Sequence, residues 1–89
     1  DTINISNNVI GGISISGSGG MSLRGIDITG SSATMLINNN LFGSTTIANS
    51  LNQTTDNSLI GIIVRGNFAG VTHQIMNNTF ANLNFLIVL

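Results

Sequence analysis

Apolar and polar residues alternate over short stretches of this chain. Isoleucine occupies every second position in segments 3–5, 13–15 and 26–28, with polar residues between. A period of two is the pattern of a half-buried β-strand, and no segment sustains the i, i+3, i+4 apolar spacing of a helix. Glycines follow several of these stretches, as at 11–12 and 17–20. The pattern therefore predicts an all-β fold of short strands joined by turns.

An asparagine pair recurs within a fixed apolar frame. Segments 5–10, 37–42 and 75–80 each read Ile, any residue, Asn, Asn, any residue, then Ile or Phe. Internal repeats of this kind indicate stacked structural units. The second asparagines of the three pairs are Asn8, Asn40 and Asn78, which are 32 and then 38 positions apart.

A second motif alternates with the first. Segments 23–30 and 59–66 share a glycine followed by alternating apolar residues and a closing glycine, at an offset of 36 positions. The two motifs alternate along the chain at Asn8, Gly25, Asn40, Gly61 and Asn78. Successive positions in this series are 17, 15, 21 and 17 residues apart. The longest step contains the polar stretch 44–57, which we predict to be a loop that bulges from a regular turn.

Short strands that repeat at such steps fit either a meander of hairpins or a parallel β-solenoid. In a solenoid, equivalent residues of successive coils lie about 4.8 Å apart, so that isoleucine packs on isoleucine and one asparagine amide bonds to the next. A meander gives no reason for asparagine to recur at one phase. The solenoid is therefore favoured, as a single domain over residues 1–89 with about five short coils.

The two motifs resemble those of right-handed parallel β-helix proteins. The form I-x-N-N-x-[FI], alternating with G-I-x-[IV]-x-G, is similar to the coils of the pectate-lyase-like superfamily and of secreted bacterial β-helical surface and adhesin repeats. The resemblance covers essentially the whole chain and implies a right-handed parallel β-helix. It specifies the architecture better than the function, because one fold hosts many functions.

This architecture assigns structural roles to the repeated residues. At each bend, one asparagine of the pair is expected to hold the turn and form an internal ladder, at Asn8, Asn40 and Asn78. A Gly-type coil separates successive pairs, which predicts that the ladder is interrupted at every other step. The expected core stack consists of Ile5, Ile26, Ile28, Ile37, Phe42, Ile62, Val64, Ile75 and Phe80.

The chain carries little charge. Charged residues make up 6% of it and the net charge is −1, so neutral amides and hydroxyls supply most of its polarity. Two arginines cannot neutralise a phosphate backbone, which excludes nucleic acid as a partner. The longest apolar run is too short to span a bilayer, where about 20 residues are needed. A Lys-free surface rich in Ser, Thr and Asn is typical of secreted or cell-surface proteins.

The resemblance also implies what an enzyme of this fold would need. The lyases of the superfamily use clustered Asp that bind calcium with an Arg or Lys base, and the hydrolases use paired Asp. Here Asp27 is alone on its strand, pointing outward between two inward isoleucines, and we expect it to pair locally with Arg24. His73 is the one histidine and lacks further metal ligands. We therefore expect no catalytic residue, no metal and no cofactor, and a loop position for His73.

Neither end of the chain has the helix or polar coil that caps natural solenoids. We therefore expect residues 1–89 to be part of a longer solenoid, or a unit that stacks end to end into a fibre. The longest apolar run closes the chain and is expected to stack against a further coil or subunit. It consists of Phe85, Leu86, Ile87, Val88 and Leu89.

The predicted function is that of a structural and adhesive module in a secreted or cell-surface stalk or filament. Its partners would be neighbouring coils or subunits of the same protein, and a glycan or surface ligand. The alternatives are the non-catalytic part of a carbohydrate-active β-helix enzyme or phage tail spike, and an amyloid-like assembly.

Overall fold

The strands of this chain are short, parallel and stacked. The computed structural model describes residues 1–16, 22–29, 33–53, 59–66 and 70–85. These residues contain strands and turns without a helix. The strands are β1 (Thr2–Ser6), β2 (Val9–Ile10), β3 (Ile13–Ile15), β4 (Leu23–Thr29), β5 (Thr34–Asn38), β6 (Leu41–Gly43), β7 (Leu51–Gln53), β8 (Leu59–Arg65), β9 (Gln74–Met76), β10 (Thr79–Ala81) and β11 (Leu83–Phe85).

Every strand pairing in the described residues is parallel, which rules out the meander of hairpins. Sheet A has the order β1-β5-β9, sheet B β2-β6-β10, sheet C β3-β7-β11 and sheet D β4-β8. The strands therefore form three layers: a first layer of β1–β4, a second of β5–β8 and a third of β9–β11. Residues that face one another in adjacent layers are 32, 36 or 38 positions apart.

This register corrects the expected number of coils. The asparagine motif and the glycine motif lie in different sheets of the same layer, not on top of one another. Each motif alternates apolar and polar residues, so in the sequence each one looks like a separate coil. In the structure, one asparagine motif and one glycine motif together belong to a single layer of strands. The expectation of about five coils is therefore wrong for the described strands, which form three layers.

The predicted loop at 44–57 is also partly wrong. Residues 51–53 form β7 in the middle of sheet C, and residues 54–57 lie outside the described residues. A strand this short, with one apolar side chain in Leu51, gives too weak an alternating signal to detect. Residues before β7 do form a turn, as predicted. In it, Oγ of Ser44 accepts hydrogen bonds from the backbone N–H groups of Thr46 and Ile47.

The core lies in the second layer. Met35, Ile37 and Phe42 are fully buried there because a layer covers them on each side. Ile75 and Phe80, expected in the core, are instead about half exposed at 50% and 49%, since the third layer has no strand beyond it among the described residues. Of the remaining expected core stack, Ile26 is buried, and four residues pack against the core while partly exposed: Ile5, Ile28, Ile62 and Val64.

The glycine motif reflects close contact with phenylalanine. A Cβ added at Gly25 would lie 2.5 Å from Cε1 of Phe42 and 2.7 Å from the carbonyl oxygen of Gly61. Both distances are below what real Cβ atoms tolerate. Gly61 stands in the same relation to Phe80 of the next layer. The glycines recur because a bulky ring of the following layer occupies the space where a side chain would be.

We expect Gly25→Ala to lower the free energy of unfolding by about 1–3 kcal/mol, the usual cost of overpacking a core. Gly61→Ala is the matched control, because Phe80 is half exposed and its ring can move away. A urea titration would measure both changes. Equal effects at the two positions would contradict this account of the glycines.

Candidate functional site

Three features of the described residues are candidates for function: the column of asparagines, a small ion cluster on sheet D, and the uncovered faces of the outer layers. Each is built by the register between layers. A side chain at one phase of a strand therefore lies directly over the same phase of the next layer.

The asparagine ladder, Asn8, Asn40 and Asn78, is continuous across the three layers. The side-chain Nδ2 of Asn8 donates to Oδ1 of Asn40 at 3.0 Å, and Nδ2 of Asn40 donates to Oδ1 of Asn78 at 3.0 Å. The backbone N–H groups of Asn8 and Asn40 donate to the same two oxygens. The expected interruption by a Gly-type coil is absent, because the Gly motif lies in another sheet.

The two asparagines of each pair have different roles. The first residue of each pair, Asn7, Asn39 or Asn77, has a left-handed backbone with φ between 58° and 61°. Asparagine adopts this conformation more readily than most residues, so it fits the bend between sheets A and B. The second residue supplies the ladder. The prediction assigned both tasks to one asparagine, since spacing alone does not separate them.

Asn40 is the central member and is 1% exposed. Besides its ladder bonds, its Nδ2 donates to the backbone carbonyl of Ile5 at 2.9 Å. Asn78 makes the equivalent bond to the carbonyl of Ile37 at 2.8 Å. The buried amide thus satisfies backbone groups at the corner where the strand hydrogen bonds stop.

The ion cluster consists of Arg24, Asp27 and Arg65. Asp27 points outward and faces Ile63 in the register, as predicted, and Arg24 donates to its carboxylate at 2.8 Å. Arg65, from the next layer, also donates to both carboxylate oxygens at 3.1 Å. This second bond was missed, although the offset of 36 positions between the two glycine motifs aligns Arg65 with Thr29, two residues from the position facing Asp27.

The arginines lower the pKa of Asp27. The hydrogen bond from Arg24 is the largest cause, partial desolvation opposes it, and Arg65 adds a further lowering. A carboxylate with a lowered folded-state pKa stabilises the fold above its unfolded-state pKa and loses that contribution as pH falls through the folded value.

We therefore expect Asp27→Asn to be less stable than the native chain at neutral pH and of similar stability at a pH below the lowered pKa of the folded Asp27, where both side chains are uncharged. Urea titrations of the two chains at both pH values would measure this difference. Arg24→Gln and Arg65→Gln separate the local bond from the bond between layers. A stability difference that persists unchanged at low pH would argue against an electrostatic origin.

His73 lies in the loop before β9, as predicted, but its side chain is not simply solvent-exposed. It is partly buried, and its Nδ1 accepts the backbone N–H of Met35 at 3.0 Å. The side chain thus replaces a strand carbonyl just before β9 begins to pair with β5. No signal in the sequence marks this contact beyond the offset of 38 positions between the two residues.

The interior contains a pocket of about 290 Å³ between sheets B, C and D. Apolar residues and two glycines line it, including Phe42, Phe80 and Leu83. Within the described ranges, no three His, Cys, Asp or Glu residues come together in a group that could hold a metal ion. In the same part of the chain, no helix has the length and hydropathy needed to cross a membrane.

The outer faces differ sharply from the middle of the stack. Ile37 and Phe42 are fully buried in the second layer, whereas their equivalents in the third layer, Ile75 and Phe80, are half exposed. Phe80 stacks on Phe42 with ring centroids 4.6 Å apart and an angle of 7° between the rings. The other face of the Phe80 ring is uncovered by described residues.

The expected end-stacking run at the end of the chain stays a prediction. Its first residue, Phe85, is described only by its backbone, as the last residue of β11, which pairs with Gln53 of β7. The remaining four residues of the run lie outside the described residues: Leu86, Ile87, Val88 and Leu89. Among the described residues, the exposed apolar side chains of the third layer instead belong to β9 and β10, and two of them, Ile75 and Phe80, had been predicted to lie in the core.

Comparisons with known proteins do not assign this chain to a family. No protein-family model, no curated protein and no solved structure matches it. The functional interpretation therefore depends on the residues and their geometry.

Proposed function

We propose that this chain is a structural module that extends by the stacking of β-layers, as a stalk or filament segment of a secreted or cell-surface protein. In this proposal the four sheets are the faces of a right-handed parallel β-helix. The module continues at its ends into further layers, supplied by a longer chain or by neighbouring subunits.

One observation carries the proposal: large apolar residues at the same phase are buried in the middle layer and partly exposed in the outer layers. Met35 is fully buried, whereas its first-layer equivalent Ile3 is 38% exposed. Phe42 and Phe80 differ in the same way. Apolar side chains of this size contribute about 1.5–3 kcal/mol each when fully buried. A further layer on each outer face would gain the part of this contribution that belongs to the exposed fraction of these side chains.

The outward side chains support an adhesive role for the lateral surface. On sheet C, Asn84 donates to Asn52 at 2.8 Å, and Asn52 donates to Ser14 at 3.3 Å. This row of neutral amides and a hydroxyl runs across all three layers. Such groups hydrogen-bond well to hydroxyls, so a glycan or the face of a neighbouring subunit is the ligand class that fits them.

Electron microscopy of the purified 89-residue chain, combined with its mass per unit length, tests the proposal. We expect filaments with one 9.2 kDa chain for each rise of roughly 14 Å, which is three layers at the spacing of β-strands. An amyloid-like assembly would instead rise by roughly 4.8 Å for each chain. A discrete trimeric particle would favour the spike or enzyme alternative. A stable, monodisperse monomer in sedimentation would refute the stacking module.

A further inference from the structure

The bonds of the asparagine ladder all run in one direction. In each step, the residue of the earlier layer donates its backbone N–H and its Nδ2 to Oδ1 of the residue in the later layer. The later residue in turn donates its Nδ2 to an isoleucine carbonyl of the earlier layer. The column of asparagines therefore has one end that offers hydrogen-bond donors and one end that offers a hydrogen-bond acceptor.

The donor end is Asn78 and the acceptor end is Asn8. In the described part of the chain, no later asparagine receives the backbone N–H of Asn78, and no earlier one donates to Oδ1 of Asn8. Asn8 also directs its Nδ2 to the carbonyl of Ser6 in its own layer, at 3.2 Å, where the other members reach an isoleucine of the preceding layer. The two ends are thus chemically complementary.

Resting on the proposed function, we infer that a second copy of this chain docks head to tail, with its first layer on the third layer of the copy before it. Asn78 donates its backbone N–H and Nδ2 to Oδ1 of Asn8 in the second copy. That Asn8 turns its own Nδ2 from Ser6 to the carbonyl of Ile75. The step from Asn8 to Asn40, in which Asn40 also donates its Nδ2 to the carbonyl of Ile5, is the template for this contact.

The apolar contacts favour the same orientation. The open face of Phe80 meets Ile10 of the second copy, because the two residues share one column of sheet B. Ile75 meets Ile5 through the column of sheet A. A head-to-head contact would instead oppose two acceptor ends, and a tail-to-tail contact two donor ends. Buried polar groups without partners cost about 1–3 kcal/mol each, so those orientations are disfavoured.

Disulfide trapping tests the orientation, since the native chain has no cysteine. Ser6 and Met76 occupy one column of sheet A through Asn38. In the head-to-tail contact, Ser6 of one copy therefore lies beside Met76 of the other, at a strand spacing of about 4.8 Å. That distance falls within the Cα separation of about 4.4–6.8 Å that a disulfide can bridge.

A mixture of Ser6→Cys and Met76→Cys chains, oxidised under native conditions, should form the mixed dimer, and neither variant alone should cross-link. The matched control is Ser6→Cys with Gln74→Cys, because Gln74 lies in the column of Asn4 and is two residues out of register. We expect about tenfold less cross-linking in this control, whose residues lie at or beyond the limit of disulfide geometry.

The outcomes separate the inference from the proposed function. Cross-linking of either variant with itself, within filaments, would overturn the head-to-tail orientation and leave the stacking module intact. Equal yields with Met76→Cys and Gln74→Cys would overturn the register. Filaments without any cross-link would overturn the end contact itself. A monomer without cross-links would refute both the inference and the proposed function.

Discussion

Replacing Asn40 with leucine is expected to lower the free energy of unfolding by about 2–4 kcal/mol, because several partly buried groups lose their partners at once. The backbone N–H and Nδ2 of Asn8 lose their acceptor, and the carbonyl of Ile5 loses its donor. Leucine has the same branching and the same number of non-hydrogen atoms as asparagine, so the substitution removes the hydrogen bonds without leaving a cavity. A urea titration of the variant would measure it.

Asn52→Leu is the matched control for this change. Asn52 also bonds to its neighbours in both adjacent layers, but those bonds lie at the exposed surface, where water replaces them. We expect its effect to stay within about 0.5 kcal/mol, as for most surface substitutions. If Asn40→Leu and Asn52→Leu cost the same, the internal ladder has no special part in holding the layers together.

Replacing Phe42 with alanine is expected to cost about 3–5 kcal/mol, the usual range for removing a buried aromatic ring. The ring is fully buried, stacks on Phe80 and fills the space beside Gly25. It also lines the interior pocket, so its removal would enlarge a cavity that already measures about 290 Å³. Because a small domain has only about 5–15 kcal/mol of stability, this variant can lose its fold.

Phe42→Leu and Phe80→Ala keep this prediction testable. The leucine variant retains most of the apolar contact and should fold with a smaller loss of stability. Phe80→Ala removes the same ring one layer later, where it is 49% exposed, and should cost clearly less than Phe42→Ala. A Phe80→Ala loss equal to that of Phe42→Ala would mean that the second layer is not the centre of the core.

The sequence predicts the parallel stacking of strands in this fold because its strongest signal is the repetition of two motifs. The spacing of 32 and 38 between Asn8, Asn40 and Asn78 is the register of sheets A and B, and the offset of 36 between Gly25 and Gly61 is that of sheet D. The number of strands in one layer was not predictable in the same way. Sheet C has only very short strands, and a motif in one sheet does not reveal that a different motif lies beside it.

The candidate site was predictable where like residues stack or where the partners are close in the sequence. The recurrence of Asn40 at one phase indicated a ladder, and the outward phase of Asp27 indicated its pairing with Arg24. The contact of His73 with Met35 joins two unlike residues across layers, so no repeat marks it.

The exposure of the third layer was missed for a related reason. The repeat gives Ile75 and Phe80 the same role as Ile37 and Phe42, because equivalent positions carry the same or similar residue types. Burial, however, depends on whether another layer covers the residue, and a repeat does not show this for the third layer of the described residues. The same two side chains that the prediction placed in the core therefore form the uncovered face.

Proton–proton contacts measured by NMR test the central claim, the register of the layers, most directly. The spectra would be recorded in solution, or by magic-angle spinning if the chain forms filaments. We predict cross-peaks from the side-chain amide protons of Asn40 to those of both Asn8 and Asn78. If the asparagine amides instead gave cross-peaks to the Hα protons of Gly25 and Gly61, shorter coils that alternate the two motifs would replace the three layers, contradicting this structure.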